Sequence, residues 1–117
     1  MLLTVVLAAC TAQAAPAPSQ ASDVPPRLAE AASARAEAEI KAGLVAFRRL
    51  RFQEAERRFQ AAVEADPQSA AATFYLAYTI YKIAEPKRPF HPDKQRAAQL
   101  FARAYELDPS FRPVWAR

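Results

Sequence analysis

Four stretches of the chain carry apolar residues at helical spacing, and each is bounded by residues that end helices. Residues 27–50 hold no proline and are rich in Ala, Glu, Arg and Leu, all good helix formers. Within them Ile40, Leu44 and Phe47 recur at i, i+4 and i+7, one stripe of a helix. A second stretch runs from about Phe52 to Ala65 and stops at Asp66-Pro67. A third runs from about Ser69, a residue type that caps helix N-termini, to Ala84. It carries two stripes, Phe74, Tyr78 and Tyr81 on one side and Thr73, Leu76 and Ile80 on another. The fourth runs from about Asp93 to Leu107 and stops at Asp108-Pro109. This pattern predicts an all-α fold of tandem helix-turn-helix (αα-hairpin) pairs.

The residues before the first helix have a different character. Met1 to Ala9 is uncharged and apolar, and a helix of that length rises only ~15 Å, half of a bilayer's hydrocarbon core. It has the size of the apolar core of a secretory signal. Leu7-Ala8-Ala9-Cys10 resembles the bacterial lipobox. The resemblance implies that Cys10 is lipidated and becomes the mature N-terminus. With Thr11 rather than Asp next to it, sorting to the periplasmic side of the outer membrane of a Gram-negative bacterium is implied. A second cut is open, because Ala12-Gln13-Ala14 fits the small-x-small pattern of ordinary signal peptidase. Residues 1–14 are therefore read as the signal segment, with Cys10 as a lipid attachment point or, failing export, a small apolar residue. Residues 15–26, with prolines at 16, 18, 25 and 26, lack apolar bulk to bury and suit a disordered tether.

The two helix pairs are related to each other. Ala55, Phe59, Ala62 and Pro67 are spaced by four, three and five residues, and Ala97, Phe101, Ala104 and Pro109 repeat those types and spacings. Gly43 is followed 34 residues later by Ala77, beside Leu76. Together these resemble the tetratricopeptide repeat, a 34-residue helix-turn-helix with a small residue in the first helix, A-x3-F in the second and a closing proline. The resemblance covers residues 36–111, divided as 36–69 and 70–111, with 112–117 as the onset of an incomplete third repeat whose Trp position is Trp115. It implies a tetratricopeptide-like superhelix of hairpins, packed through Gly43, Ala55, Phe59, Ala62, Leu76, Ala77, Ala97, Phe101 and Ala104. Repeat one departs from the pattern, with Glu39, Ala42 and Ala46 at the Trp, Leu and Tyr sites. Repeat two is longer, the surplus lying in the Pro-rich basic loop 85–92. That loop is either a carrier of specificity or a tolerated surface extension.

Composition removes most chemistries. The 117 residues include one Gly, one Cys and one His. One glycine cannot build a phosphate-binding loop, and a single Cys with a single His cannot complete a structural zinc site. His91 sits between prolines with only Asp93 nearby, and Glu54 and Glu56, two apart on a helix, do not face each other. No catalytic residue, metal or cofactor is expected, and the chain is read as a non-enzyme. The net charge of +4 is spread as a mixed-charge surface, with acidic residues close behind Arg48, Arg49 and Arg51, so no nucleic acid is expected.

The resemblance implies that the first helix of each pair lines a concave groove. Carried over by position, that groove holds Ile40, Leu44, Phe47, Phe74, Tyr78 and Tyr81, edged by Arg48 and Lys82. The opposing possibility is that other parts of the chain or a second copy cover these side chains. The function expected is an exported protein–protein interaction module, a lipid-anchored periplasmic scaffold that binds a protein or peptide segment. The alternatives are a self-associating structural subunit, or the N-terminal part of a longer repeat protein.

Overall fold

The computed structural model describes residues 25–115, and the signal segment, Cys10 and the tether up to residue 24 lie outside the described residues. Four α-helices follow one another: α1 (Pro26–Arg48), α2 (Phe52–Ala65), α3 (Ala70–Ala84) and α4 (Pro92–Leu107). No strand occurs among the described residues. The protein is all-α.

Local chemistry accounts for each boundary. Pro26 occupies the first turn of α1, where its missing N–H breaks no intrahelical bond. The α1–α2 turn is a Schellman closure, with Arg51 N–H donating to Ala46 O at 2.9 Å and Leu50 N–H to Phe47 O at 3.0 Å. Leu50 takes the left-handed conformation this closure requires, at φ 59°, a place usually given to glycine. Ser69 caps α3 by accepting the Ala72 N–H at 3.1 Å. His91 caps α4, its Nδ1 accepting the Asp93 N–H at 3.2 Å, with Pro92 at the first helical position.

The two Asp-Pro stops are the same turn made twice. Asp66 accepts the Gln68 N–H on its side chain at 3.1 Å and the Ser69 N–H on its carbonyl at 3.1 Å. Asp108 does the same with the Ser110 N–H at 2.9 Å and the Phe111 N–H at 3.2 Å. Their outcomes differ. Ser69 starts a helix; Phe111, at the matching place, has no oxygen with which to cap one, and residues 111–115 carry no helix.

α1 packs along α2 and α3 along α4, α3 also lies against α2, and α1 and α3 touch more lightly. One buried cluster joins all four helices through Ala46, Ala55, Phe59, Tyr75, Leu76, Ile80 and Ala97. A second, of Ala36, Ala62 and Ala72, closes the end of the first hairpin beneath Ile40 and Val63. α3 is central: eight of its fifteen residues are buried, so little of its circumference is left for solvent. Its buried hydroxyls are satisfied locally, Thr79 Oγ1 donating to Tyr75 O at 2.7 Å and Thr73 Oγ1 to Ser69 O at 3.0 Å.

The residues assigned to repeat packing lie at the helix contacts. Gly43, Ala55, Phe59, Ala62, Leu76, Ala77, Ala97 and Ala104 are buried, and Phe101 is half-buried. At Gly43 the approach is tight, because a Cβ there would lie 2.5 Å from the Phe59 ring. Phe59 is itself fully buried, so the ring fills the space that a side chain at 43 would need.

Candidate functional site

One side of α1 and α3 carries a run of aromatic rings. Phe47 near the end of α1 lies 5.7 Å from Tyr78 on α3. Tyr78 in turn is 6.5 Å from Phe74 and 6.1 Å from Tyr81, centroid to centroid. Ring pairs at these separations attract through edge and offset contacts. Helical spacing explains the order, since Phe74, Tyr78 and Tyr81 share one side of α3 and Leu44 and Phe47 one side of α1. Leu44, Phe47, Arg48, Leu50, Tyr78 and Trp115 line an open hollow of about 360 Å³.

The other sequence-derived groove residues lie in different surroundings. Ile40 is half-buried and packs against both core clusters, so it supports the floor more than it presents a surface. Phe74 faces Phe101 and Phe111 as well as Tyr78. Tyr81 is 44% exposed at the far end of the aromatic run. Lys82 is engaged by Glu85 at 3.0 Å; that hydrogen bond holds its ammonium above its ordinary pKa. Arg48, exposed in the last turn of α1, is the cation that lines the hollow.

Four participants are absent from the sequence-derived set. Phe52 opens α2 and stands 5.1 Å from Phe47. Leu50 is 74% exposed at the rim, held there by its left-handed backbone. Tyr75 lies on neither stripe of α3; its ring stacks on Phe59 at 5.4 Å, and its hydroxyl reaches back to the groove side. Trp115, placed by spacing at the start of a further repeat, lies against α1 and α3. Its ring is 4.8 Å from Tyr78, 5.1 Å from Phe47 and 5.4 Å from Tyr75.

The segment that delivers Trp115 is held at two further points. The Tyr75 hydroxyl accepts the Val114 N–H at 2.8 Å and donates to the Val114 carbonyl at 3.1 Å. Phe111 packs edge-on to Tyr75 at 5.9 Å. Phe111 and Trp115 thus sit on either side of the Tyr75 hydroxyl, like the two ends of a strap over α3. A lone tryptophan after the last Asp-Pro stop was the available signal for this contact; Tyr75 and Tyr78 are separated from it by about a third of the chain and Phe47 by more than half, beyond any local pattern.

Between α3, α4 and the segment that follows α4, Phe74, Phe101, Ala104, Tyr105, Phe111 and Arg112 border a second hollow of about 430 Å³. Phe59, the match of Phe101, is fully buried, while Phe101 is only half so and Tyr105 is 67% exposed. In loop 85–92, Lys87 pairs with Asp93 and Lys94 Nζ donates to Lys87 O at 2.6 Å. The Lys87 hydrogen bond holds the Asp93 carboxyl below its ordinary pKa. Phe90 at the loop's tip is 86% exposed.

Among the described residues no three His, Cys, Asp or Glu side chains converge as metal ligands would. None of the described helices is long and apolar enough to cross a membrane. Comparison with models of protein families, with curated protein sequences and with solved structures finds no match. The class defined at this level is a small all-α protein with an aromatic groove between its first and third helices.

Proposed function

We propose that the chain is a tetratricopeptide-like interaction module that binds an extended segment of another protein along α1 and α3. The observation that carries this reading is the hollow beside Phe47 and Tyr78, with Leu50 exposed at its rim. A leucine held in the left-handed region costs roughly 1–2 kcal/mol that glycine would avoid, and such strain clusters at binding sites. An apolar, aromatic-lined concavity with one cation at its edge suits a peptide carrying bulky apolar side chains. The repeat reading draws support from the Gly43–Phe59 contact and from the two identical Asp-Pro turns. The lipobox resemblance adds an anchor: lipid on Cys10 and the tether up to residue 26 would place the groove near the outer membrane on the periplasmic side.

Two experiments test this. A photocrosslinking residue at Leu44 should capture a protein in cells, and one at Arg57 on α2, away from the groove, should not. The product should vanish in a Tyr78→Ala chain that keeps its helicity; equal capture from both positions sinks the groove reading. For the anchor, palmitate labelling should be lost in Cys10→Ala, and label that persists rules out the lipobox. A second reading, self-association, is favoured by the open hollow between Phe101 and Tyr105. Light scattering separates the two, because a monomer at micromolar concentration counts against self-association.

A further inference from the structure

The groove just described is already partly filled by the chain's own residues 111–115, and the manner of filling is that of a bound peptide. The backbone is held at one residue, Val114, through both its N–H and its carbonyl by a single side-chain hydroxyl, that of Tyr75. The next side chain, Trp115, enters a box of Phe47, Tyr75 and Tyr78. The preceding aromatic, Phe111, lies on the other side of Tyr75 against Phe74. Pro113 favours the extended conformation at Arg112. Yet the seat is incomplete: Trp115 is 37% and Val114 70% exposed, and the hollow beside the indole stays open.

We propose that the Phe47–Tyr75–Tyr78 box is a reading site for a segment whose backbone pairs with the Tyr75 hydroxyl one residue before an aromatic side chain, that Val114–Trp115 is its intramolecular occupant, and that a partner gains the groove by displacing this strap. The inference rests on the groove being a peptide site and adds to that reading the chemistry of the partner and a means of control. A tethered occupant competes at a high effective concentration, so a segment that makes better use of the hollow, through contacts to Leu44, Arg48 and Leu50, displaces it at lower concentration than one that only copies the strap. The strap thereby keeps the apolar floor covered while no partner is bound and raises the concentration at which weaker segments enter.

Trp115 is the chain's single tryptophan, so its emission reports the strap alone. In the full-length chain the emission should be that of a half-buried indole, and Tyr78→Ala should move it to the solvent value while helicity is retained. Tyr75→Phe, which leaves the ring on Phe59 and removes only the hydroxyl, should move it part of the way. A peptide with the sequence of residues 111–115, carrying Phe in place of Trp115 and so silent, should shift the emission of the wild-type chain saturably. The same peptide, fluorescently labelled, should bind a Trp115→Ala chain about tenfold or more tighter than wild type, because the cis competitor is gone.

Emission already at the solvent value in the folded chain overturns the strap. So does emission that reddens on dilution, which would mean that a second copy donates the segment. Equal peptide affinity for wild type and Trp115→Ala leaves the groove a peptide site but removes strap displacement. Failure of the helical Trp115→Ala chain to bind the peptide at all removes both.

Discussion

Gly43 and Leu50 lie seven residues apart on the same stretch of chain, and each sits where the other's residue type would be expected. The closure of α1 calls for glycine at position 50, where φ is 59°, yet the chain's one glycine is in mid-helix at 43. Contact distance explains the first choice, since the Phe59 Cε1, Cδ1 and Cζ atoms would lie 2.5, 2.7 and 2.9 Å from a Cβ there. Gly43→Ala gains about 1 kcal/mol in helix propensity and loses about 1–3 kcal/mol to overpacking against a ring with no room to retreat. A net loss of up to about 2 kcal/mol in urea unfolding is expected; a more stable variant would show that the ring moves aside. Leu50→Gly relieves the left-handed strain but loosens the unfolded chain, so a gain of about 0.5–1 kcal/mol is expected by the same measurement. It should also weaken peptide binding in the groove, which would distinguish a functional leucine from an accident of the turn.

At the scale of elements, the helices start and stop as their sequences dictate, and the connections make the differences. Ser69 caps α3 and His91 caps α4, each by accepting a backbone N–H, which leaves His91 with a structural task in the described chain. The α4 start also carries Asp93, favourably placed at a helix N-terminus and bonded to Lys87. Its pKa lies below the ordinary 3.8, chiefly through the Lys87 hydrogen bond; Asp108 is lowered likewise through Ser110. A carboxyl whose folded pKa is depressed stabilises the fold above its unfolded pKa and loses that contribution as pH falls through the folded value. Acid should therefore loosen the α4 start and the turn after α4. Lys87→Met should return the Asp93 titration, followed by carboxyl NMR, towards its ordinary value and leave Asp108 unmoved. An unchanged Asp93 would assign the shift to the helix terminus instead.

For the whole molecule, both buried clusters cross from the first hairpin to the second, so neither hairpin has a core of its own. The helices should unfold in urea as one cooperative transition. The strap belongs to a different order of stability: two hydrogen bonds to one hydroxyl and a half-exposed indole hold it, with no helix to support them. Such segments open at lower free energy than the core. Trp115 emission should thus change at lower urea than the helical circular dichroism signal. Coincident curves would show that residues 111–115 leave only when the core does.

Much of this was legible along the chain. The four helices, their Asp-Pro stops, the Ser69 cap and the small residues at the helix contacts follow from periodicity, propensity and steric size, which act over a few residues. So does the aromatic stripe Phe74, Tyr78 and Tyr81. The groove's actual composition was not legible, because it depends on which surfaces meet. Ile40 sinks into the floor, and Tyr75, on neither stripe, turns its ring to Phe59 and its hydroxyl to Val114. Trp115 illustrates the limit best. Spacing places it at the head of another repeat, but no local pattern says that its ring meets Phe47 on α1 and Tyr75 and Tyr78 on α3. Local rules act within a turn or two; where a side chain finds its partners across seventy residues is settled by the packing of the whole.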